Sequence, residues 1–346
     1  MKTILATAAV LAACGTATAT SLELNLVNQI DLTATQDPAS SSYIGANPAT
    51  VAWDGTDLFV AGWNNGRGTV DHGIVGVANA ASSDVLGTSF GLKETINFRG
   101  YNSLDLAADG RLVAAYDGGS ADPEGLAIYD KSGALLDSRN LRPSFANWDP
   151  ANNGGNAVGW TQFGSGRLSV ADGSDLSTTL FDTATGAFIF AGSTIQRGLD
   201  IDDSGNIAVN DAGGNLTYFE RTTPNGTGAS ATIASGLGTG DGNRNAIMNT
   251  PFGDVIIFNR RSGSTYGSSI DAADITGAPV SLTINGVDLS TATSTGWWDF
   301  DYNSATNTLA AVEFSTRQAF VFQVVPAPGA AGLLALGGFA ATRRRR

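Results

Sequence analysis

The chain has 346 residues and a formal net charge of −13, and only 15% of its residues are charged. Such an acidic chain repels nucleic acid and anionic lipid, which argues against a nucleic-acid-binding protein. A hydrophobic content of 42% excludes a disordered polymer and allows one large domain or two ordinary ones.

Residues 1–20 have the features of an export signal. Lys2 supplies a short charged region, a ten-residue apolar run follows, and the ATA at 17–19 fits the small-x-small rule for signal peptidase. The run is too short for a stable membrane anchor. We predict that signal peptidase removes residues 1–20 and that the mature chain is exported.

The chain has one cysteine, Cys14, within this signal. The stretch LAACG at 11–15 resembles a bacterial lipobox, in which Cys14 would become the lipidated first residue. The alternative is a small residue of the export signal that happens to be Cys. Because the body contains no Cys, disulfides and thiolate metal sites are excluded there.

Residues 21–32, SLELNLVNQIDL, alternate apolar and polar side chains, which predicts a half-buried strand. The body then repeats two apolar strands joined by a polar turn, in units that begin at 51, 104, 158, 199, 247 and 298. Where a tight hairpin needs a positive φ, the turns carry Gly110, Gly166, Gly205, Gly253 and Asn307. Strand repeats of about 40–50 residues are the signature of a β-propeller.

Further strands are predicted at 74–77, 125–129, 178–181, 215–219 and 319–324, and outer strands at 135–139, 187–191 and 279–284. The predicted fold class is all-β: a six-bladed β-propeller over residues 21–324, closed by the N-terminal strand in the last blade. A signal peptide and a C-terminal sorting helix flank it. The alternatives are a seven-bladed ring, with an unrecognised unit at 80–100 or 220–240, and a β-sandwich.

One unit matches a known repeat more closely than the others do. The stretch GLDIDDSGNIAVNDAGGNLTYF at 198–219 resembles an NHL-type propeller repeat in its D-x-G-N turn and in the strands around it. The resemblance implies a six-bladed propeller, an architecture that lactonase-like enzymes share. In those enzymes Glu, Asn and Asp side chains bind a metal in the central channel.

Asp105, Asp200 and Asp299 each follow the first apolar residue of their unit. Since the innermost strands of a propeller line its channel, these carboxylates are candidate channel ligands for a metal, with Ca²⁺ the cation they suit. The segment DIDDSG at 200–205 also partly matches the start of a calcium loop but lacks the closing Glu. The alternative is a polar channel lining around water.

Other chemistry has little support in the sequence. His72 is the one histidine, which excludes a His-built metal site, and no G-x-S-x-G motif surrounds it. We predict that His72 is exposed or caps a turn, and we assign no catalytic residue. Trp53, Trp63 and the pair at 297–298 are predicted to pack between blades, the alternative being a platform for sugar rings.

The C-terminal stretch VPAPGAAGLLALGGFAATRRRR at 325–346 begins where prolines end the body. Its apolar run is too short to span a bilayer, and the terminal arginines would stay on the cytoplasmic side during export. This geometry favours a cleavable sorting signal over a permanent anchor. The motif comprises Val325, Pro326, Pro328, Arg343, Arg344, Arg345 and Arg346.

This tail resembles the PEP-CTERM sorting signal of bacterial envelope proteins, with Ala327 where that motif usually has Glu. The resemblance implies that an exosortase cleaves near the prolines, after a transient membrane association, and transfers the body to a surface or matrix destination. A surface polysaccharide or the matrix would then be its partner. Removing both terminal segments leaves 14 basic and 32 acidic residues, a net charge of −18.

The sequence therefore predicts a secreted cell-surface or extracellular-matrix propeller with a binding or structural role rather than an enzyme. Two alternatives stay open. One is an envelope hydrolase, lactonase or lyase with a metal in the channel. The other is a glycan-binding lectin.

Overall fold

A computed structural model describes residues 21–45, 47–63, 72–91, 99–117, 124–162, 167–181, 196–211, 213–237, 244–262, 265–287 and 296–327. Two short 3-10 helices lie there, Thr33–Gln36 and Asn153–Gly155. The strands are β1 (Ser21–Asp31), β2 (Asn47–Trp53), β3 (Leu58–Trp63), β4 (Ile74–Val77), β5 (Gly100–Leu106), β6 (Leu112–Asp117), β7 (Gly125–Tyr129), β8 (Leu135–Asn140), β9 (Pro143–Trp148), β10 (Ala157–Gln162), β11 (Leu168–Asp172), β12 (Asp175–Phe181), β13 (Gln196–Ile201), β14 (Ile207–Asp211), β15 (Leu216–Thr223), β16 (Gly226–Ala234), β17 (Asn245–Thr250), β18 (Gly253–Ser262), β19 (Thr265–Asp274), β20 (Pro279–Asn285), β21 (Trp297–Asn303), β22 (Thr308–Glu313) and β23 (Gln318–Pro326).

Several predicted features lie outside the described residues: the export signal with Cys14, the outer strand at 187–191, the turn at Gly166 and the tail from Pro328 onward. Of the sorting motif, the structure describes Val325 and Pro326, which end β23. That strand therefore runs two residues past the predicted end of the body at residue 324. A proline is tolerated there because the pairing of β23 with β22 ends at Gln323, so no strand needs an N–H from Pro326 on that side. No helix of the described ranges is long and apolar enough to cross a membrane.

The described strands form six antiparallel meanders in chain order. Meanders 1 to 5 are β2–β4, β5–β8, β9–β12, β13–β16 and β17–β20, and meander 6 is β21–β23 together with β1. A single residue pair, Trp63 with Gly100, joins meanders 1 and 2. The parallel pairing of β1 with β20 joins meanders 5 and 6.

The third meander corrects the predicted unit boundary. The unit predicted to begin at residue 158 starts with β10, which is the second strand of its meander, and the first strand is β9. The pattern of two apolar strands around a polar turn fits any hairpin of a meander, so it does not separate the innermost hairpin from the next one.

The first strands of the meanders (β2, β5, β9, β13, β17 and β21, here called the inner strands) contact one another in order, and β21 contacts β2. Six hydrophobic clusters fill the spaces between neighbouring meanders, including the space between the sixth and the first. Each meander thus buries both of its faces against its neighbours. This is the arrangement of a β-propeller.

The N-terminal strand completes the last meander, as predicted. β1 pairs antiparallel with β23 from Leu22 opposite Pro326 to Asp31 opposite Gln318. A bulge between Leu26 and Asn28 shifts the register of β1 by one residue. Side chains after the bulge therefore point to the opposite face of the sheet from the one that the alternation before it would give. Leu24 therefore packs between meanders 5 and 6, whereas Ile30 packs between meanders 6 and 1.

The hairpin turns also agree with the sequence. Gly110, Gly205, Gly253 and Asn307 all have positive φ angles, at 86°, 82°, 120° and 52°. At Gly205 a side chain would also meet the Cβ of Ala151 at 2.4 Å. These positions set the length of each hairpin, and through it the register of the inner strands.

Candidate functional site

The inner strands surround a small cavity on the axis of the ring. Asp105 of β5, Asp200 of β13 and Asp299 of β21, the three predicted channel residues, all line it. A fourth carboxylate, Asp301 of β21, lines it as well. The cavity has a volume of about 20 Å³, which is room for one water molecule.

The carboxylates accept backbone hydrogen bonds from the next meander around the ring. Trp148 N donates to Asp105 Oδ2 at 2.6 Å and Ile247 N donates to Asp200 Oδ2 at 2.5 Å. Trp53 N donates to Asp301 Oδ2 at 2.6 Å. Each of the three side chains therefore connects its own inner strand to the next inner strand through a hydrogen bond.

Asp301, not Asp299, is the counterpart of Asp105. Trp148 and Trp53, which donate their backbone N–H groups to Asp105 and Asp301, also both reach back to the preceding meander through their indole N–H. Asp299 lies two residues earlier on the same face of β21, and its Oδ2 accepts a hydrogen bond from Val51 N at 3.1 Å. The sequence analysis missed Asp301 because it took Trp298 as the first apolar residue of the last unit. The counterpart of Leu104 is Phe300, since both lie just after an equivalent register shift in their strands.

An arginine shares the cavity with these carboxylates. Arg244, just before β17, is 5% exposed, and its Nε lies 3.8 Å from Asp299 Oδ1. Its Nη2 donates to Asn102 O at 3.2 Å, and its guanidinium carbon lies 4.3 Å from the centre of the Phe145 ring. One side chain from meander 5 thus contacts meanders 2, 3 and 6 across the axis. Sequence reasoning missed it because Arg244 follows a Gly-rich stretch that carries no strand pattern.

Burial changes the acidity of the cavity carboxyls. It raises the pKa of Asp105 and of Asp299 to about 6, and that of Asp200 to about 8. At Asp299, Arg244 opposes this rise. Burial and the charges of Asp105 and Asp200 hold the pKa of Asp301 well above its ordinary value. The cavity therefore favours protonated carboxyls.

The segment at 200–205 forms a hairpin turn. Asp202 Oδ1 accepts hydrogen bonds from Ser204 N at 2.9 Å and Asn206 N at 2.7 Å, while its Oδ2 accepts one from Asn206 Nδ2. In the part of the chain that the structure describes, no group of three or more His, Cys, Asp or Glu side chains is arranged to hold a metal ion. The cavity fits Ca²⁺ poorly, because the Oδ2 atom of each cavity aspartate already accepts a hydrogen bond from a backbone N–H.

The remaining candidates are buried. His72 is fully buried, so the prediction that it is exposed was wrong; it lies beside Gly100, at the junction of meanders 1 and 2. Trp53, Trp63 and Trp297 are at most 9% exposed and belong to the clusters between meanders, which confirms their predicted packing role. None of these three indoles offers a stacking surface for sugar rings.

No known family model matches the chain, and no curated protein matches it either. Solved structures do. The β-propeller domain of Swd1 from Myceliophteria thermophila has a TM-score of 0.52 and 12% identity, with 87% of this chain and 100% of that one covered. A gluconolactonase from Xanthomonas campestris has a TM-score of 0.51 and 13% identity, with 82% and 88% covered. At such low identity the likeness concerns the fold alone, and the fold of this chain is a β-propeller.

Proposed function

We propose that this chain is an exported, six-bladed β-propeller that serves at the cell surface or in an extracellular matrix as a binding or structural protein. The observation that carries the non-enzymatic role is Arg244, whose side chain crosses the axial cavity and contacts three other meanders. A propeller channel filled by its own side chains has little room for a substrate. The four cavity aspartates are likewise engaged in joining neighbouring inner strands.

Six blades account for the packing. Each of the six meanders is one blade, and the inner strands meet in a closed circuit in which β21 lies against β2. The six hydrophobic clusters match the six spaces of such a ring, one for each pair of neighbours. A further blade would have to separate two meanders that already share a cluster.

The export and sorting steps follow from the two terminal segments of the sequence. Signal peptidase would release the N-terminus at Ser21, and an exosortase-like enzyme would act at the proline motif. Ala327 N donates a hydrogen bond to Ser21 O at 3.2 Å, so both processed ends leave the body at one point of its rim. A single attachment there leaves the rest of the propeller free to meet a surface polysaccharide or matrix component.

Deleting residues 328–346 is expected to move the protein from the cell surface into the medium. The truncation keeps β23 and its pairing with β1, so the body retains its fold and loses only the segment that directs sorting. The measurement is fractionation of surface, membrane and medium, with the thermal unfolding midpoint of the truncated chain as the control for folding. If the truncated chain keeps the same distribution among the fractions and the same unfolding midpoint, the proposed sorting function is wrong.

The alternative is a hydrolase that uses the cavity carboxyls. It is favoured by the convergence of Asp105, Asp200 and Asp301, since a carboxyl whose pKa lies near neutrality suits general acid and base catalysis. A lactone-hydrolysis assay with and without added Ca²⁺ separates the two functions. The structural role predicts no rate above the uncatalysed reaction; a rate that Asp200→Asn abolishes would establish the enzyme.

A further inference from the structure

The axial cavity contains more negative than positive groups. Among the described residues that line it, Asp105, Asp200, Asp299 and Asp301 are acidic and Arg244 is the one base. With every group ionised, this small space would hold a net charge of −3. Burying such a charge uncompensated is very costly, so protons or a further cation must neutralise it.

No further described cation faces the carboxyls. β2 and β9 line the cavity with uncharged side chains, among them Val51, Phe145 and Asn147. Two carboxylates beyond the lining also act on the cavity: Asp202 acts on Asp200, and Asp203 acts on Asp105. Both add negative charge, so the surroundings increase the need for neutralisation.

We propose that protons held by the cavity aspartates neutralise the axis of the ring, and that the ring loosens when a rise in pH removes them. The geometry suits this role. A protonated carboxyl keeps one acceptor oxygen for the backbone N–H of the next meander and gains an O–H that can donate to a neighbouring carboxylate. A cavity with room for one water molecule accepts protons without any rearrangement of the strands.

Ionisation would act at three contacts between neighbouring inner strands at once. Asp105, Asp200 and Asp301 come from meanders 2, 4 and 6, and each holds the backbone of the next meander. Like charges on alternate meanders repel across the axis, and a movement of the inner strands away from one another relieves that repulsion. Loosening is therefore expected at the centre of the ring, while the hydrophobic clusters between meanders persist.

The sign of the pH dependence follows from the raised pKa values of the cavity carboxyls. Burial holds the pKa of Asp200 at about 8, far above its value in an unfolded chain, so the folded state binds the extra proton at neutral pH. Stability that depends on this proton is fully present below the unfolded pKa and is lost as pH rises through the folded pKa. For each such proton, the unfolding equilibrium constant rises about tenfold per pH unit across that window.

The test is equilibrium unfolding of the exported chain in urea at a series of pH values from about 5 to 9. The variant is Asp200→Asn, which keeps an acceptor oxygen for Ile247 N and cannot ionise. The matched control is Asp84→Asn, at an exposed aspartate. We expect the unfolding equilibrium constant of the wild type and of the control to rise with pH. The rise for Asp200→Asn should be smaller, by a factor of about ten per pH unit near neutrality.

Two further readouts keep the proposal testable if Asp200→Asn folds poorly. Asp301→Asn removes another ionisable group of the same set, and infrared spectroscopy of the wild type detects protonated carboxyls directly through their C=O stretch. Equal pH slopes in the wild type and both Asn variants would overturn the proposal. So would a Ca²⁺-dependent gain in stability at alkaline pH that Asp200→Asn abolishes, because a cation would then be the neutralising group.

Discussion

Replacing Arg244 with methionine is expected to lower the free energy of unfolding by about 3–5 kcal/mol at alkaline pH. The substitution keeps much of the packing against Phe145 but leaves the buried Asp299 without its nearest cation. Because the pKa of Asp299 is about 6, the loss grows as pH rises above that value and the carboxyl ionises. Urea unfolding followed by tryptophan fluorescence measures the change.

Arg260→Met is the matched control. Arg260 pairs with Asp271 at 2.7 Å, but both side chains are more than one third exposed, so this substitution should cost less than about 1 kcal/mol. Adding Asp299→Asn to Arg244→Met should restore part of the lost stability, since the uncompensated charge is then absent. Equal costs for the two arginine substitutions would mean that Arg244 does not hold the centre of the ring.

The second large effect is expected at the strand that closes the ring. Leu24→Ala should reduce the free energy of unfolding by about 2–5 kcal/mol, because Leu24 is fully buried between meanders 5 and 6. Calorimetry or circular dichroism should record a lower thermal midpoint. The cost arises from lost packing in the cluster to which β1, β20 and β23 all contribute.

Val27→Ala provides the comparison within the same strand. Val27 lies at the bulge of β1 and is 44% exposed, so its truncation removes little buried area. A midpoint for Leu24→Ala as high as that for Val27→Ala would contradict the closing role of β1. A large loss in both variants would instead mean that the strand as a whole tolerates no change.

Much of the fold could be predicted from local patterns. The alternation in residues 21–32 predicted β1 and its place in the last meander, and the turn glycines predicted positive φ angles at positions such as Gly110 and Gly205. Both signals act over a few residues, where steric limits of the backbone decide the structure. The predicted boundary of the third unit was wrong because the inner strand of that meander, β9, was not recognised from its own sequence.

The centre of the ring was harder to predict. Asp105, Asp200 and Asp299 all line the cavity, and the sequence singled them out because each follows the first apolar residue of its unit. Asp301 was missed because the last unit was counted from Trp298, whereas Phe300 is the counterpart of Leu104. The burial of His72 was missed because it depends on residues from another meander. Arg244 acts through Asn102, Phe145 and Asp299, which lie far from it in the chain and meet it only in the closed ring.

The closure by β1 also has a consequence for the order of folding. During synthesis β1 is the first described strand to leave the ribosome, whereas β20 and β23, its partners, are among the last. Contacts between such distant segments form slowly, because a long loop must close before they stabilise anything. The first strand therefore stays an unpaired edge until almost the whole chain is present, and the nascent protein depends on late closure to avoid association through that edge.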